Sequence, residues 1–291
     1  MVRIPMPPPA GRADLHNHTS ASDGTLSPAE QVKWAARQGL AAVGITDHDT
    51  IAGWAEAKAA ADAAGIEFVP GCELSTEVGK TEVHILAYYF DPDEPAMAEL
   101  LRRMRGGRRR RVEAAVAKLH ELGYTEVSLE RILARGGESV GRPHIAAELI
   151  ELGVVRSITE AFERFLDHGR PAYVPRPKLQ PAEAIAIVRG AGGVPVLAHP
   201  GLIGDDKWVR EAIAAGVMGI EAYHTDHSDL QRQFYARWGL DAGLVVTGGT
   251  DSHGPRGTRT VVPGSVNVGM DVVQRLKELS PWYRRTHGAL A

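Results

Sequence analysis

Two histidines separated by one residue stand in the segment Asp14-Leu15-His16-Asn17-His18. Successive side chains of a strand alternate between its two faces, so Asp14, His16 and His18 share a face if this segment is extended. Two imidazoles on one face, with a carboxylate nearby to orient one of them, suit a divalent transition metal. The segment therefore predicts metal ligands at the end of a first strand.

Histidine and carboxylate residues also stand at or near the ends of the other predicted strands. A single histidine at a strand end is more often structural than a ligand, and Asp or Asn after a strand often forms a turn or a helix cap. Such residues at every strand end are much harder to attribute to chance, so we predict a site for several metal ions. The residues are Asp23, His48, Glu73, His84, His199, His224, Asp251 and His253.

The types of donor residue restrict which metal ions could bind and which reaction they could support. Cys72 is the only cysteine, so neither a thiolate zinc site nor an internal disulfide can form. Imidazoles and carboxylates without thiolate suit manganese, ferrous iron or zinc, and we favour manganese. A hydroxide bridging two such ions would attack phosphorus at neutral pH. The chain has no P-loop, which argues against a nucleoside-triphosphatase.

The elements that must position these residues alternate between apolar, β-branched runs and amphipathic helical patterns, which indicates βαβ units and a parallel sheet. Ser27-Pro28 is a start signal for the first helix and Gly39 a stop signal. Because polar residues collect where strands end, a closed or nearly closed barrel is favoured over an open sheet. The strand candidates are Ala13–His18, Ala41–Thr46, Glu67–Glu73, Glu82–Tyr89, Val194–Ala198, Gly219–Tyr223 and Leu244–Thr250, and the segment after Ser252 is expected to be a loop and a short helix.

Between Pro95 and Arg170 the pattern is helical, with no convincing strand. A helix opening at Gly141-Arg142-Pro143-His144 should end at Gly153, and its N-terminus could bind an anion. Ser139, Arg142 and His144 would then hold a second phosphate of the substrate, although an ordinary capped surface helix is the alternative. The run Arg108–Arg111 is read as a solvated helix face, except that Arg108 falls in the apolar stripe and either snorkels or points into the substrate cleft.

The composition and net charge argue against several classes of protein. Among 291 residues, 33 basic and 36 acidic ones give a net charge of -3, which argues against a globally basic nucleic-acid binder. No apolar run approaches the length of a membrane span, and the proline-rich lead-in Met1–Pro9 lacks the apolar core of a signal peptide. We expect a cytoplasmic protein that binds neither membranes nor long nucleic acids, whereas the oligomeric state is not predictable.

The motifs Asp14-x-His16-x-His18, Thr46-Asp47-His48, Glu73, His84, His199-Pro200 and Asp251-x-His253 resemble the signature of the PHP (polymerase and histidinol phosphatase) family. The helical block with Ser139-Val140-Gly141-Arg142-Pro143-His144 is similar to that of the small-phosphatase branch. The resemblance implies a distorted seven-stranded (β/α)7 barrel with an inserted all-helical subdomain. Residues 12–94 and 175–291 would form the barrel, and residues 95–174 the insertion.

The same resemblance implies three metal positions. His16, His18, Glu73 and Asp251 would hold the first ion. Glu73 would bridge to a second ion completed by His84 and His199, and Asp23, His48 and His253 would hold the third. Some family members have histidine in place of Asp23, which makes the third position here richer in oxygen. Asp14, Asp47 and Asp49 are predicted either to orient the histidines or to form turns, and His224 to contact phosphate or protonate the leaving oxygen.

The implied activity is that of a hydrolase acting on phosphoric ester bonds. The substrate would be a small nucleotide, a nucleoside 3′,5′-bisphosphate, with trimming of short 5′-phosphorylated RNA as a related activity. One alternative is a histidinol-phosphate-type phosphatase, although a small amino-alcohol phosphate needs no second anion site. The other is an inactive metal-binding regulatory module, which the complete ligand set disfavours.

Overall fold

The computed structural model describes residues 11–175, 178–255, 257 and 260–288, so the lead-in Met1–Pro9 lies outside the described residues. Eight strands form one sheet in the order β10-β1-β2-β3-β6-β7-β8-β9, and β4 pairs with β5 in a separate hairpin. The strand bounds are β1 Arg12–Asp14, β2 Ala42–Ile45, β3 Glu67–Leu74, β4 Glu77–Val78, β5 Thr81–Glu82, β6 Ile85–Tyr88, β7 Val194–Leu197, β8 Gly219–His224, β9 Val245–Gly249 and β10 Val268–Gly269.

The helices cover the outside of this sheet and fill the block between β6 and β7. A π-helical turn, Phe162–Leu166, extends α6, and a 3₁₀ turn spans Pro200–Leu202. The helix bounds are α1 Pro28–Arg37, α2 Trp54–Ala64, α3 Pro95–Glu121, α4 Leu129–Arg135, α5 Arg142–Glu151, α6 Ile158–Ala161, α7 Pro181–Gly190, α8 Lys207–Ala214, α9 Asp229–Asp241, α10 Met270–Leu279 and α11 Pro281–His287.

The sheet closes into a nearly complete barrel where the chain beyond β1 meets the end of β9. Leu15 N–H donates to Gly248 O at 3.2 Å, and Asp251 N–H donates to His16 O at 2.8 Å. His18 N–H then donates to Ser252 O at 2.9 Å. Although β1 itself is short, these bonds continue its direction, and they confirm the predicted barrel.

One strand of the barrel runs against the expected direction. β6 is antiparallel to both β3 and β7, whereas β1, β2 and β3 are parallel to one another, as are β7, β8 and β9. Only residues 75–84 join β3 to β6, and a parallel crossover needs a dozen or more residues. The reversal places the start of β6, and His84 before it, at the rim where the parallel strands end.

Two differences concern the segment after Ser252. It contributes β10, which pairs antiparallel with β1, and two helices, α10 and α11, where a loop and one short helix were expected. The first helix follows its predicted signals: Ser27 and Glu30 form a capping box, and Gly39 has a φ of 73° just beyond the helix. Polar capping and glycine freedom are local effects, so the sequence reveals them directly.

The helical block between β6 and β7 has a hydrophobic cluster of its own. Val112, Leu119 and Ile145 belong to this cluster, whereas Met97 and Met104, earlier on α3, pack into a cluster of the barrel. One long helix therefore contributes to two cores. Because it does, the block is held against the rim of the barrel. Within the described residues, no helix is long and apolar enough to cross a membrane.

Candidate metal centre

The predicted ligands meet at one rim of the barrel because each lies next to a strand end there. Glu73 belongs to β3 and forms the centre of the cluster. Its Oε1 lies 2.7 Å from His84 Nδ1 and 3.1 Å from His199 Nε2. Its Oε2 lies within 3.2 Å of one ring nitrogen in each of three further histidines, His16, His18 and His48. A single carboxylate thus contacts five imidazoles.

Four donor atoms are grouped tightly around the inner part of the cluster. His16 Nε2 lies 3.2 Å from both His18 Nε2 and Glu73 Oε2, and 3.4 Å from Asp251 Oδ1. His18 Nε2 lies 3.1 Å from each of the two carboxylates. A tetrahedral ion with bonds near 2.0–2.1 Å would separate its ligands by about 3.3 Å. These spacings therefore suit one metal ion.

Three further groups of donors lie beside this one among the described residues. They are His48, Glu73 and His84; His16, Glu221 and His224; and His18, Asp23, His48 and His253. The last is looser, because Asp23 lies 3.4 Å from His253 Nε2, 3.7 Å from His18 Nδ1 and 3.9 Å from His48 Nε2. His199 joins the cluster through the contact between its Nε2 and Glu73 Oε1. The predicted ligands are therefore all brought together.

Among the described residues, several imidazole nitrogens in the cluster are buried and make no hydrogen bond of acceptable geometry. They are His18 Nδ1, His48 Nδ1, His84 Nε2, His199 Nδ1 and His224 Nε2. Buried polar atoms are normally satisfied, and each one that is not calls for a ligand or another explanation. Neutral imidazole nitrogens and carboxylate oxygens are donors for divalent metals, so these residues fit the metal ions that the sequence predicts.

The electrostatics of the cluster favour added positive charge. Burial would raise the pKa of Glu73 and of Asp251, yet the surrounding histidines hold both pKa values well below the ordinary range. Burial would conversely lower the pKa of His18, but Asp251 and Glu73 outweigh it and raise that pKa to about 10. For His48 burial dominates and lowers the pKa to about 3. The ionised carboxylates thus hold protons on some imidazoles, where metal ions would compete with them.

Three of the four non-glycine residues with a positive φ among the described residues lie at this rim; the fourth is Tyr89. Asp49, His199 and Asp251 adopt positive φ angles of 55°, 26° and 54°, which residues other than glycine rarely adopt. Two of the three are predicted ligands. Such conformations persist only where the surrounding structure imposes them, and they are concentrated at functional sites.

Sequence reasoning missed Glu221, which lies directly behind the cluster. Its Oε1 is 3.0 Å from His16 Nδ1, and its Oε2 accepts the His199 N–H at 2.9 Å. The carboxylate therefore orients the ring of His16, the arrangement common behind metal-bound histidines, and also holds the backbone of His199. A carboxylate within the otherwise apolar, buried start of β8 was the available signal.

Asp14 and Asp47 contact loops rather than imidazole rings. Asp14 accepts hydrogen bonds from Thr250 Oγ1 at 2.6 Å and from Gly264 N–H at 2.8 Å. Asp47 accepts from Thr19 Oγ1 at 2.7 Å and from Ser22 Oγ at 2.6 Å. Of the two predicted roles, their contacts match turn formation. They hold the loops that carry Asp251 and Asp23.

His224 is fully buried at the end of β8. Its Nδ1 accepts the Asp226 N–H at 3.2 Å, and its Nε2 lies 3.5 Å from Asp251 Oδ2. The residue does not line either of the two cavities that border the cluster. Proton donation to a leaving group by this ring would therefore need a path that the present arrangement does not open.

An arginine-rich cavity, lined by Arg108, Arg111 and Arg142, borders the cluster at His48 and His84. Arg108 is the best anchored of the three: its Nε donates to Asp49 Oδ2 and its NH2 group to Ser75 Oγ, both at 2.7 Å. Burial would lower its pKa, but Asp49 outweighs this effect and keeps the guanidinium charged. Of the two alternatives for Arg108, the structure shows the one that points into the cleft.

Ser139 and His144 lie behind the wall of this cavity, against expectation. Both are buried and line neither it nor the wider cleft beside it. His144 Nδ1 accepts the Gly141 N–H at 3.0 Å, so the ring caps α5. Of the three residues predicted to hold a second phosphate, only Arg142 borders the cavity. The first turn of a helix points side chains in several directions, and spacing alone does not identify the one facing the cleft.

Comparison with known proteins agrees with this geometry. The PHP domain family model matches residues 14–130. A 5′-3′ exoribonuclease of Haemophilus influenzae is 37% identical over 84% of this chain and 90% of that protein. A 3′,5′-nucleoside bisphosphate phosphatase of Chromobacterium violaceum is 35% identical over 83% of this chain and 87% of that protein. The crystal structure of a candidate metal-dependent phosphoesterase from Bifidobacterium adolescentis has a TM-score of 0.84 and 32% identity, covering 94% of this chain and 98% of that one.

Proposed function

This chain belongs to the PHP family and is a metal-dependent phosphoesterase, and from that premise we propose that it removes a phosphate from nucleoside 3′,5′-bisphosphates. One observation carries the proposal: the donor cluster and the arginine-rich cavity share His48 and His84 as a common wall. When one phosphate of a substrate lies at the cluster, a second phosphate of the same substrate could therefore reach the three guanidiniums. A simple monoester would leave them unused.

We assign three divalent ions to the cluster, with manganese favoured over ferrous iron and zinc. His16, His18, Glu73 and Asp251, whose donor atoms lie close together, would hold the first. Glu73, His84 and His199 would hold the second. Asp23, His48 and His253 would hold the third. When bound, such ions would supply an activated water and neutralise the charge of the transferred phosphoryl group.

The chain itself would position the reactants. Glu73 contacts five imidazoles, and Glu221 holds the ring of His16 and the backbone of His199. Because these groups are buried, water outside the cluster competes little with their interactions. His224 would act only indirectly, through Asp251, whose Oδ2 lies 3.5 Å from its Nε2, so His224→Ala should lower kcat while the bound metals are retained.

The 5′-phosphate, which is not hydrolysed, would bind the guanidiniums of Arg108, Arg111 and Arg142 in the arginine-rich cavity. Planar guanidiniums bind phosphate oxygens in pairs, which makes such contacts strong and directional. Arg108 and Arg111 here replace Ser139 and His144 of the sequence-based prediction. Short 5′-phosphorylated RNA presents the same 5′-phosphate, so trimming of short RNA from that end is a related expectation.

Phosphate release tests the proposal. Metal-free protein reconstituted with Mn²⁺ should release phosphate from adenosine 3′,5′-bisphosphate at a kcat/KM well above that for histidinol phosphate, which carries no second phosphate. Arg142→Ala should lower the value for the bisphosphate alone. Faster turnover of histidinol phosphate would favour the alternative function, a histidinol-phosphate-type phosphatase. An equal loss of kcat/KM on both substrates in Arg142→Ala would contradict the second-phosphate site.

A further inference from the structure

A second groove begins at Arg142 and leads away from the metal centre. We call it the distal groove. It runs between the β4–β5 hairpin and the segment 167–175. Its lining includes Lys80, Glu82, Arg142, Asp167, Arg170 and Lys178.

The distal groove is continuous with the active-site cavities. Glu82 and Arg142 line both it and the arginine-rich cavity. Glu163 and Asp167 line both it and the wider cleft in front of the cluster. A ligand bound at Arg142 can therefore extend into the distal groove without crossing a wall.

Charged residues of both signs line the groove. Four carboxylates line it, Glu77, Glu82, Glu163 and Asp167. Glu82 and Asp167 lie next to Arg142, at 3.3 Å and 3.8 Å from its guanidinium. The lining also carries three exposed cations, Lys80, Arg170 and Lys178. Within the part of the chain that the structure describes, no ion pair joins any of these three to a carboxylate, so they are available to an anion.

The backbone of both walls is anchored. Lys118 Nζ donates to Tyr173 O and Arg111 Nε to Val174 O, each at 2.7 Å, which ties one wall to α3. Glu77 N–H donates to Leu179 O at 3.0 Å, which joins the hairpin to the segment that carries Lys178. The cations thus project from walls whose backbones are already ordered, and binding need not order them.

We infer that the distal groove binds a further phosphate attached to the 5′-phosphate of the substrate, so that the enzyme accepts 3′-phosphorylated nucleotides bearing a 5′-diphosphate. This inference rests on the proposed function, which places the 5′-phosphate at Arg142. A group linked to that phosphate on the side away from the ribose would enter the groove beyond it. Its charge would meet Lys80, Arg170 and Lys178.

The downstream part of an RNA chain suits the distal groove less well. In a chain trimmed from its 5′ end, the next nucleotide is linked to the phosphate at the metal centre, on the other side of the ribose from Arg142. The groove also offers Tyr173 as its one aromatic residue, and His168 already packs against that ring with centroids 5.1 Å apart. Bases that stack on proteins need open aromatic faces.

The test compares adenosine 3′-phosphate 5′-diphosphate with adenosine 3′,5′-bisphosphate in each protein. Exposed charge pairs are individually weak, so three together should favour the diphosphate by about tenfold in kcat/KM. The triple variant Lys80→Ala/Arg170→Ala/Lys178→Ala should bring that ratio near one. A matched variant, Lys58→Ala/Lys207→Ala/Arg237→Ala, removes the same charges elsewhere and should keep the ratio. A 5′-diphosphorylated dinucleotide compared with its 5′-monophosphorylated form shows whether the end of a short RNA is selected as well.

Calorimetric binding to the metal-free protein provides a readout that does not depend on turnover. There the same tenfold difference should appear in Kd and disappear in the groove variant. A ratio near one in the wild-type protein, or an unchanged ratio in the groove variant, would overturn the inference while leaving the proposed function intact. Turnover of neither nucleotide, with the metals bound, would instead reject the proposed function.

Discussion

The ion pair between Arg108 and Asp49 joins the helical block to the metal centre and allows a quantitative prediction. Asp49 follows His48, its side chain is fully buried, and Arg108 is only 16% exposed. Asp49 also accepts the Ser75 N–H at 2.9 Å. Arg108→Ala would leave this carboxylate buried without a cation. We expect that loss to lower both the stability of the protein and its turnover of the bisphosphate.

The size of the effect follows from burial. Breaking a buried pair by removing one partner costs about 3–5 kcal/mol, and access of water from the arginine-rich cavity places this pair near the lower value. Asp49→Asn removes the charge as well, so the double variant should lose about 2 kcal/mol less than the sum of the single losses. Arg109→Ala, one residue further on α3 and largely exposed, should change stability by less than about 0.5 kcal/mol.

The pH dependence provides a second check. Burial raises the pKa of Asp49, but Arg108 outweighs it, so the pKa lies below its ordinary value and the pair stabilises the fold until acid protonates the carboxylate. In Arg108→Ala burial is opposed only by His48 and the Ser75 N–H hydrogen bond, so the pKa of Asp49 rises, and the deficit should shrink as pH falls through the raised value. Urea unfolding of the metal-free proteins at several pH values measures both effects. Additive single losses, or a deficit independent of pH, would refute the reasoning.

Three further predictions concern the metals and the substrate. Glu73→Gln should remove bound metal, measured by elemental analysis, and lower kcat by more than about a thousandfold, whereas Glu67→Gln in the same strand should retain both. Arg142→Ala should raise KM for the bisphosphate about tenfold with little effect on an aryl phosphate, and Arg164→Ala should change neither; equal losses on both substrates would contradict this. Burial lowers the pKa of His18, but Asp251 and Glu73 raise it from 6.5 to about 10, so stability from this charge is complete below pH 6.5 and lost towards pH 10. Thermal unfolding should show that alkaline loss in the metal-free protein but not with Mn²⁺ bound, and Mn²⁺ binding at pH 8 should release protons to an indicator dye.

Local chemistry made several features predictable. Ser27-Pro28 and Gly39 delimit α1 because capping and a positive φ act within a few residues. His16 and His18 converge because alternate residues of an extended chain share a face. The barrel followed from polar residues recurring at strand ends, since parallel strands bring those ends to one rim.

Longer-range features could not be predicted in this way. The direction of β6 depends on what residues 75–84 can span, and that direction alone brings His84 to the rim. Glu221 contacts His16 across the barrel, and no sequence spacing relates the two. Ser139 and His144 turned inward because the packing of α5 decides which side of its first turn faces the cleft.

Residue types and their short-range periodicity are enough to give the kinds of donor present, the absence of thiolate ligands, and the recurrence of donors at strand ends. The fold adds which donors lie close together, which arginines face the cleft and where the distal groove leaves it. Those properties depend on contacts between residues far apart in the chain, whose partners are chosen by barrel closure and by packing against α3.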